Sequence, residues 1–286
     1  MLNIVLDPSA SLAAPSSSVP LAFHSLSGTV ILPSSHPSSL QTFSPSSFSL
    51  VAELEVSPSN RVSRRDEKSL EPSRVERAVI SSTGEWMATI DRHEGDECFR
   101  GEIYLKFWYW DKKNAFWILN TRIDRPHGLH KITSMSFSPD ASVVQLVTTG
   151  ADGKLKCWRI QMVKDKRGDQ EGGCNSSGLA NKQSHTRQTV SWVPRSSFGF
   201  ESDVPSHASW SPDGSLLAVA IGTSVVLYDP CTNVPQHTFV CCESPRPRQA
   251  HFIGPNGRFL VVTSGLDLVV WNIVSHSGTR ICYECL

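Results

Sequence analysis

The chain has 286 residues, of which 39% are hydrophobic and 8% aromatic, and its 27 basic residues are balanced by 27 acidic ones. This composition is typical of a globular β protein and not of a disordered chain, and the zero net charge gives no global signal for a nucleic-acid or membrane partner. No apolar run reaches the roughly 18 residues of a membrane-spanning helix. The first basic residue is Arg61, so the N-terminus lacks the cationic region of a signal peptide, and we expect an intracellular protein.

The first 74 residues divide into three segments of different composition. Residues 1–18 are rich in Ser, Ala and Pro and have no periodicity, which predicts a disordered N-terminus. Residues 19–56 contain four short apolar segments separated by Ser, Pro and Gly clusters, and we predict a four-stranded blade there. Residues 57–74 carry several charges and two prolines without periodicity, which predicts a linker.

The clearest pattern of strands and turns lies between residues 131 and 160. Three short runs rich in β-branched and aromatic residues occur there, at 132–137, 143–148 and 155–160. The first turn contains Asp140, whose carboxylate can bond the backbone two residues on. The second contains Asp152 followed by Gly153, a dipeptide favoured in tight hairpins. Each run is too short for a helix, so the segment predicts an antiparallel meander with Trp158 near the end of its third strand.

The same unit recurs along the chain. A turn of sequence SPDG, which contains Asp213, precedes SLLAVAIGTSVVLYDP, a GPNG turn precedes RFLVVTSGLDLVVWNI, and an SSTG turn precedes EWMATID. When the units are aligned on their turns, an aromatic residue falls at the same place in the third strand, namely Trp108, Trp158, Tyr228 and Trp271. A repeat of about 40 to 45 residues with this aromatic is the signature of a WD-repeat blade. The sequence therefore predicts an all-β propeller, with these aromatics, Asp140 and Asp213 as its repeat-defining residues.

The number of repeats predicts an incomplete propeller. After residues 19–56, further units span roughly 75–123, 131–194, 206–240 and 248–286. A closed propeller needs about four blades and commonly has about seven or eight. We therefore expect 19–56 to be the terminal blade of a first propeller and 75–286 to be part of a second. The polar segment 161–188 is expected to be a long disordered loop. The chain would then be a fragment with exposed apolar blade faces.

Motifs of catalysis and metal binding are missing from the sequence. It has no G-x-S-x-G elbow, no H-E-x-x-H pair and no phosphate-binding loop. Cys282 and Cys285 have the spacing of a metal or redox pair, but no matching second pair follows, and thiols that fill strand positions are the alternative. His130, His207 and His251 stand near the starts of first strands, where we expect structural roles. The sequence therefore predicts no catalytic site, no metal and no cofactor.

One stretch of cations and aromatics is a candidate nucleic-acid contact. Residues 106–131 contain six basic against two acidic residues, interleaved with six aromatic residues between 107 and 117. Such a pattern is found in RNA-binding surfaces, although the alternation of a strand whose aromatics pack between blades explains it as well. The candidate RNA or partner contacts are Lys112, Lys113, Arg122 and Arg125, together with Arg64 and Arg65 of the linker.

Several of these segments resemble a known family. The runs TVILPSSHPSSLQTFSP, LVAELEVSPSNRVSRRDEK, GEWMATID and ITSMSFSPD, and above all LKFWYWDKKNAFWILNTRIDRPH at 105–127, are similar to the WD repeat-containing protein 75 family. Generic WD repeats do not share the last of these. The resemblance covers about residues 19–286 and concerns the middle of a much longer protein.

The resemblance implies a nucleolar scaffold without catalysis, in the subcomplex of the small-subunit processome that joins pre-ribosomal RNA earliest. It would support 18S rRNA processing and transcription by RNA polymerase I. The implied partners are other WD-repeat subunits, the U3 small nucleolar ribonucleoprotein with its snoRNA, and the 5′ external spacer of pre-rRNA, with no membrane and no small-molecule substrate. The blades and the C-terminal tail that the chain lacks put its own assembly in question. A generic WD-repeat adaptor and a propeller enzyme are the alternatives, and the fold alone does not separate them.

Overall fold

The structure is a computed structural model, and it describes residues 19–58, 72–95, 100–164, 188–200, 203–241, 246–265 and 267–282. The strands of this part form five four-stranded antiparallel sheets, and no helix occurs among the residues described. The predicted all-β propeller fold is therefore confirmed. The segments predicted to be disordered, 1–18 and most of 161–188, lie outside the described residues together with most of the linker.

Each sheet consists of four strands that are consecutive in the chain. The first sheet contains β1 Ala22–His24, β2 Thr29–Pro33, β3 Ser39–Ser44 and β4 Ser49–Glu55, and the second contains β5 Arg74–Ile80, β6 Trp86–His93, β7 Glu102–Asp111 and β8 Phe116–Asp124. The short strand β9 Pro126–Leu129 follows. The third sheet contains β10 Ile132–Phe137, β11 Gln145–Gly150, β12 Lys154–Lys164 and β13 Gln188–Gly199.

The last two sheets repeat the same meander. The fourth contains β14 Pro205–Trp210, β15 Leu217–Ile221, β16 Ser224–Asp229 and β17 Val234–Val240, and the fifth contains β18 Gln249–Ile253, β19 Phe259–Ser264, β20 Asp267–Asn272 and β21 Ser277–Cys282. Most neighbouring strands are joined by short turns, whereas residues 165–187 separate β12 from β13.

A β-bulge precedes the third-strand aromatic in four of the five sheets. The register between the third and fourth strands shifts immediately before Phe43, Trp108, Trp158 and Tyr228. In each case the extra residue lies in the fourth strand, and such a bulge bends that strand and increases the local twist opposite the aromatic. In the fifth sheet Trp271 pairs with Leu260 and Gly278. The repeat is therefore defined in the backbone as well as in the side chains.

Apolar clusters between consecutive sheets hold the blades together. Buried pairs from facing sheets are Leu40 and Met87 between the first and second, Phe107 and Leu146 between the second and third, Val147 and Val219 between the third and fourth, and Leu227 and Leu260 between the fourth and fifth. Between the second and third sheets, Trp192 of β13 stacks on Phe107, with ring centroids 4.2 Å apart and an interplanar angle of 4°. Burial of these faces provides the main driving force for blade packing.

The first sheet is joined to the second by the same kind of contact. In addition to their shared apolar cluster, the Val75 N–H donates to the carbonyl of Pro37 at 2.8 Å. His24 Nε2 lies 2.9 Å from the carbonyl oxygen of Gly84. Among the described residues, these contacts join the sheet predicted to end a first propeller to the sheet predicted to begin a second.

The first strands of successive sheets lie next to one another at the inner edge of the propeller. β5, β10, β14 and β18 contact their neighbours in turn, whereas the fourth strands β4 and β17 are mostly exposed. Bulges interrupt β5, β10 and β14 at Glu76, Thr133 and Ser206. Two of these side chains reach the following sheet, because Thr133 Oγ1 donates to the Pro205 carbonyl at 2.6 Å and Ser206 Oγ to the Pro247 carbonyl at 2.9 Å. The bulges thus link the blades along the inner edge.

Candidate functional site

The β7–β8 hairpin carries the four candidate RNA-contacting cations of the second sheet. Lys112 and Lys113 lie in the turn between the two strands, whereas Arg122 and Arg125 lie at the far end of β8. A strand rises about 3.4 Å per residue, so the length of β8 separates the two pairs by roughly 20 Å. The structure therefore divides the predicted group into two basic pairs at opposite ends of one blade.

The turn between β7 and β8 is organised by a carboxylate. Asp111 accepts hydrogen bonds from the Lys113 N–H at 2.9 Å and from Asn114 Nδ2 at 2.7 Å. Lys112 Nζ lies 2.6 Å from a carboxylate oxygen of Glu85, and this hydrogen bond raises the pKa of Lys112. Because both partners are exposed, the pair is weak and costs little to break.

Arg122 is held more firmly than the lysines. Its Nε and Nη2 donate to the two carboxylate oxygens of Asp124 at 2.8 and 3.3 Å. Its guanidinium also lies 4.2 Å from the ring centroid of Tyr104. Burial and a hydrogen bond to Glu102 raise the pKa of Tyr104 to about 12. Arg125 is exposed and adopts a positive φ of 52°. Of the two arginines, Arg125 is therefore the more accessible to a phosphate.

Lys106 belongs to the same basic stretch but faces the interior. Its Nζ lies 2.9 Å from Asp91, and the two side chains are only 5% and 0% exposed. It also donates to the carbonyl of Val56 at 2.7 Å, which ties the end of the first sheet to the second. Burial raises the pKa of Asp91, and Lys106 opposes that rise. Lys106 is therefore a structural cation and is removed from any RNA-binding surface.

A buried chain of polar side chains fixes the core of the third sheet. His127 of β9 places Nδ1 2.8 Å from Asp152 Oδ1 and Nε2 2.8 Å from Thr148 Oγ1. Trp158 Nε1 donates to the same threonine oxygen at 2.9 Å. His130, which was predicted to be structural, is exposed, and the buried histidine of this sheet is His127. The two histidines are three residues apart, and only the fold shows which one is buried.

The remaining repeat-defining residues differ in how their polar atoms are satisfied. Trp108 Nε1 donates to Thr89 Oγ1 at 2.9 Å, as Trp158 does to its threonine. Within the described residues, no partner is found for Tyr228 Oη or Trp271 Nε1. Asp140 Oδ1 accepts from the Ser142 N–H at 2.8 Å, and Asp213 Oδ1 from the Ser215 N–H at 3.1 Å. Both aspartates therefore close the turns that precede second strands.

The described residues offer little for metal chemistry. They contain no group of three or more His, Cys, Asp or Glu side chains placed to hold a metal ion.

In this part of the chain no helix has the length and apolar character needed to cross a membrane. Cys157 and Cys241 are buried free thiols, and Cys231 is exposed. The side chains of Cys282, Cys285, Arg64 and Arg65 lie outside what the structure describes, so their predicted roles stay predictions.

The sequence that forms these sheets matches a known protein family. Residues 27–278 match the family described as WD repeat-containing protein 75 second beta-propeller. The chain belongs to the WD repeat-containing protein 75 family. The resemblance identified from the segment 105–127 is thereby confirmed. The matched range begins between β1 and β2, so it includes most of the sheet that was predicted to end a first propeller.

Individual relatives agree with this assignment. WD repeat-containing protein 75 of Xenopus laevis is 30% identical over 174 residues, which cover 59% of this chain and 18% of the relative. The Homo sapiens protein of the same name is 27% identical over 203 residues, with 70% and 22% covered. U3 small nucleolar RNA-associated protein 17 of Schizosaccharomyces pombe is 26% identical over 221 residues, with 74% and 25% covered. The chain spans about a fifth to a quarter of the length of these relatives.

A solved structure supports the fold independently of the family. A chain of the mitotic checkpoint complex superposes with a TM-score of 0.59, covering 94% of this chain and 65% of the other. Its sequence identity is 12%, so the similarity concerns the propeller fold alone.

Proposed function

We propose that the chain is a non-catalytic scaffold in ribosome biogenesis, acting in the small-subunit processome during maturation of pre-18S rRNA. The observation that carries the proposal is the family match over residues 27–278, which extends through all five sheets. The name of the Schizosaccharomyces pombe relative, U3 small nucleolar RNA-associated protein 17, supports a role beside U3 RNA. The chain would work in the nucleolus and support transcription by RNA polymerase I.

Four aspartates in the turns between strands have a structural role. Asp111, Asp140, Asp213 and Asp229 each accept a backbone N–H two residues on. Hydrogen bonds within the turns lower the pKa of all four carboxyl groups. A general acid or base works best with a pKa near the working pH, so these aspartates suit turn formation better than proton transfer. A scaffold needs surfaces of this kind and no reacting group.

The proposed partners are other WD-repeat subunits of the processome subcomplex, the U3 small nucleolar ribonucleoprotein, and the 5′ external spacer of pre-rRNA. The two basic pairs on the β7–β8 hairpin, Lys112 with Lys113 and Arg122 with Arg125, are the proposed phosphate contacts. Their separation of roughly 20 Å along β8 would allow one pair to contact RNA while the other remains free for a protein.

Affinity purification of the tagged chain from nuclear extract, followed by sequencing of bound RNA and identification of bound proteins, tests the proposal. Enrichment of U3 RNA and 5′ external spacer together with WD-repeat subunits is the expected result. A tagged WD-repeat propeller of similar size and unrelated function serves as the control. Recovery of protein partners without U3 RNA or pre-rRNA would contradict the proposal and favour an adaptor that acts outside ribosome biogenesis.

A further inference from the structure

The first sheet packs on the second with one face and leaves its other face open to solvent. On the open face, side chains of all four strands stand opposite one another in register, in the order Phe23, Val30, Phe43 and Leu50. Directly opposed residues of neighbouring strands point to the same face of a sheet. These four residues therefore form a continuous apolar row, which we name the first-sheet row.

The first-sheet row is exposed at both ends. Phe23 is 63% and Leu50 is 53% exposed, whereas Ile31, which adjoins Val30 in β2, is only 2% exposed because it faces the second sheet. Leu21, immediately before β1, is 63% exposed and extends the apolar surface. Together these side chains present roughly 400 Å² of apolar surface, which is the size of patch that marks an interaction site on a monomer.

The first-sheet row corresponds to the row by which each later sheet packs on the sheet before it. In the third sheet, Trp158 pairs with the fully buried Leu146, and both belong to the cluster shared with the second sheet. The same pairing of a third-strand aromatic with a fully buried second-strand residue occurs in the second, fourth and fifth sheets. Phe43 pairs with Val30 in this way, but among the described residues no sheet precedes the first. The open face therefore has the form of a blade interface that lacks its opposing surface.

We propose that the first-sheet row is a dimer interface, occupied by the same row of a second copy of this chain. A two-fold axis parallel to the strands, between β2 and β3, would place β1 of one copy over β4 of the other. Phe23 would then face Leu50 of the second copy, and Val30 would face its Phe43. Each aromatic side chain thus meets an aliphatic one, so that the two sheets interdigitate about 10 Å apart as in a sandwich.

The other open sheet face of the chain is a poorer partner for this row. On the free face of the fifth sheet the rows end in polar residues of β21, because Val270 pairs with Thr279 and Asn272 pairs with Ser277. Burying such groups without hydrogen-bond partners is unfavourable, whereas the first-sheet row is apolar on all four strands. A two-fold contact between identical faces also closes at two copies, while a contact between different faces continues to further copies unless it forms a ring.

The size of the surface sets the expected strength of the dimer. With the polar residues around the row, two copies would bury on the order of 1,000 Å², which is near the lower limit of a specific interface. Glu53 of β4 is exposed beside the row and accepts a hydrogen bond from Ser34 Oγ at 2.6 Å, so its carboxylate would stay solvated at the rim. We therefore expect a reversible dimer with a dissociation constant in the micromolar range.

Sedimentation velocity of the purified full chain, from about 1 to about 100 μM, brackets such an affinity and does not depend on a role in the processome. The mass should rise from 31.5 kDa to twice that value and stop there. Phe23→Asp and Leu50→Asp should each raise the dissociation constant at least about tenfold, because each buries a carboxylate in the interface. Phe259→Asp, on the free face of the fifth sheet, is the matched control and should dimerise as the parent does.

The facing of Phe23 and Leu50 is tested by a pair of complementary charges. Phe23→Lys and Leu50→Asp should each be monomeric alone. Mixing them should restore dimers, because in a mixed dimer the new lysine faces the new aspartate and the native Leu50 faces the native Phe23. Circular dichroism reports whether each variant is folded, and a mixture of two folded variants that stays monomeric would overturn the proposed two-fold arrangement.

Three other outcomes would overturn the proposal and assign the face differently. A folded Phe23→Asp that dimerises as the parent does would exclude the first-sheet row from the interface. Masses that continue to rise beyond two copies, and that are lost in Phe259→Asp, would indicate a contact between the first and fifth sheets of different copies. A parent that stays monomeric at about 100 μM, while Phe23→Asp lowers the midpoint of thermal denaturation, would assign the row to a segment of the same chain.

Discussion

Lys106 Nζ lies 2.9 Å from the carboxylate of Asp91, in an ion pair whose side chains are 5% and 0% exposed. The pair joins the second and third strands of the second sheet, and Lys106 also bonds the Val56 carbonyl at the end of the first. Breaking a buried pair leaves an uncompensated charge in the interior, at a cost of about 3 to 5 kcal/mol. Lys106→Met is therefore expected to lower the free energy of unfolding by about that amount in chemical denaturation.

Matched variants separate the pair from the general effect of losing a lysine. Lys112→Met removes a lysine whose partner Glu85 is exposed, and it should leave the denaturation midpoint unchanged. Lys106→Met combined with Asp91→Leu removes both buried charges and should recover most of the loss. A double variant as unstable as Lys106→Met alone would show that packing, and not the uncompensated charge, causes the effect.

The aromatic register of the blades could be predicted from the sequence because it depends on local features. Turn residues such as Asp140 and Asp213 and the alternation of short strands place Trp158 and Tyr228 without knowledge of other blades. Phe43 occupies the corresponding place in the first sheet, but the Ser-rich segment around it has no comparable turn motif.

The predictions that were wrong or incomplete involve contacts between distant parts of the chain. Lys106 was counted among the basic residues of the stretch 106–131, and its buried position was not predicted, since its acceptor on Val56 is 50 residues away. His127 was missed because Thr148 and Asp152, its two partners, come from a later hairpin. A single sequence does not show which polar residue will find a buried partner.

The hydroxyl of Thr148 is expected to matter more than that of Thr89. Thr148→Val leaves His127 Nε2 and Trp158 Nε1 without a partner, whereas Thr89→Val leaves only Trp108 Nε1. Each unsatisfied buried group costs about 1 to 3 kcal/mol. Thermal or chemical denaturation should therefore show a larger loss for Thr148→Val. Equal losses would indicate that the histidine contributes nothing to the network.

The stability of the chain is expected to fall in mild acid. The folded-state pKa of His207 is about 4 against an ordinary 6.5, and burial also lowers the pKa of His24, His127 and His251. Below pH 6.5 the unfolded chain therefore binds more protons than the folded chain, and stability is lost as the pH falls toward 4. His207 alone accounts for about 2 kcal/mol between about pH 7.5 and pH 5.

Denaturation of His207→Asn at the two pH values checks this contribution. The variant should lose about 2 kcal/mol less than the parent on acidification. Arg258→Gln, which changes an exposed arginine immediately before β19, is the control and should follow the parent. Identical pH slopes for His207→Asn and the parent would show that the histidine is not desolvated in the folded chain.

The two basic pairs of the β7–β8 hairpin are expected to differ in their effect on RNA binding. Lys112→Glu with Lys113→Glu acts on exposed lysines, one of which is held only by a weak surface pair. Arg122→Glu with Arg125→Glu acts on one exposed arginine and on another bound to both oxygens of Asp124. The lysine variant should therefore weaken binding of 5′ external spacer RNA more, and should reduce the slope of log affinity against log salt by about 1 to 2. Filter binding over a salt series measures both quantities, and an unchanged slope in both variants would exclude this hairpin as a phosphate contact.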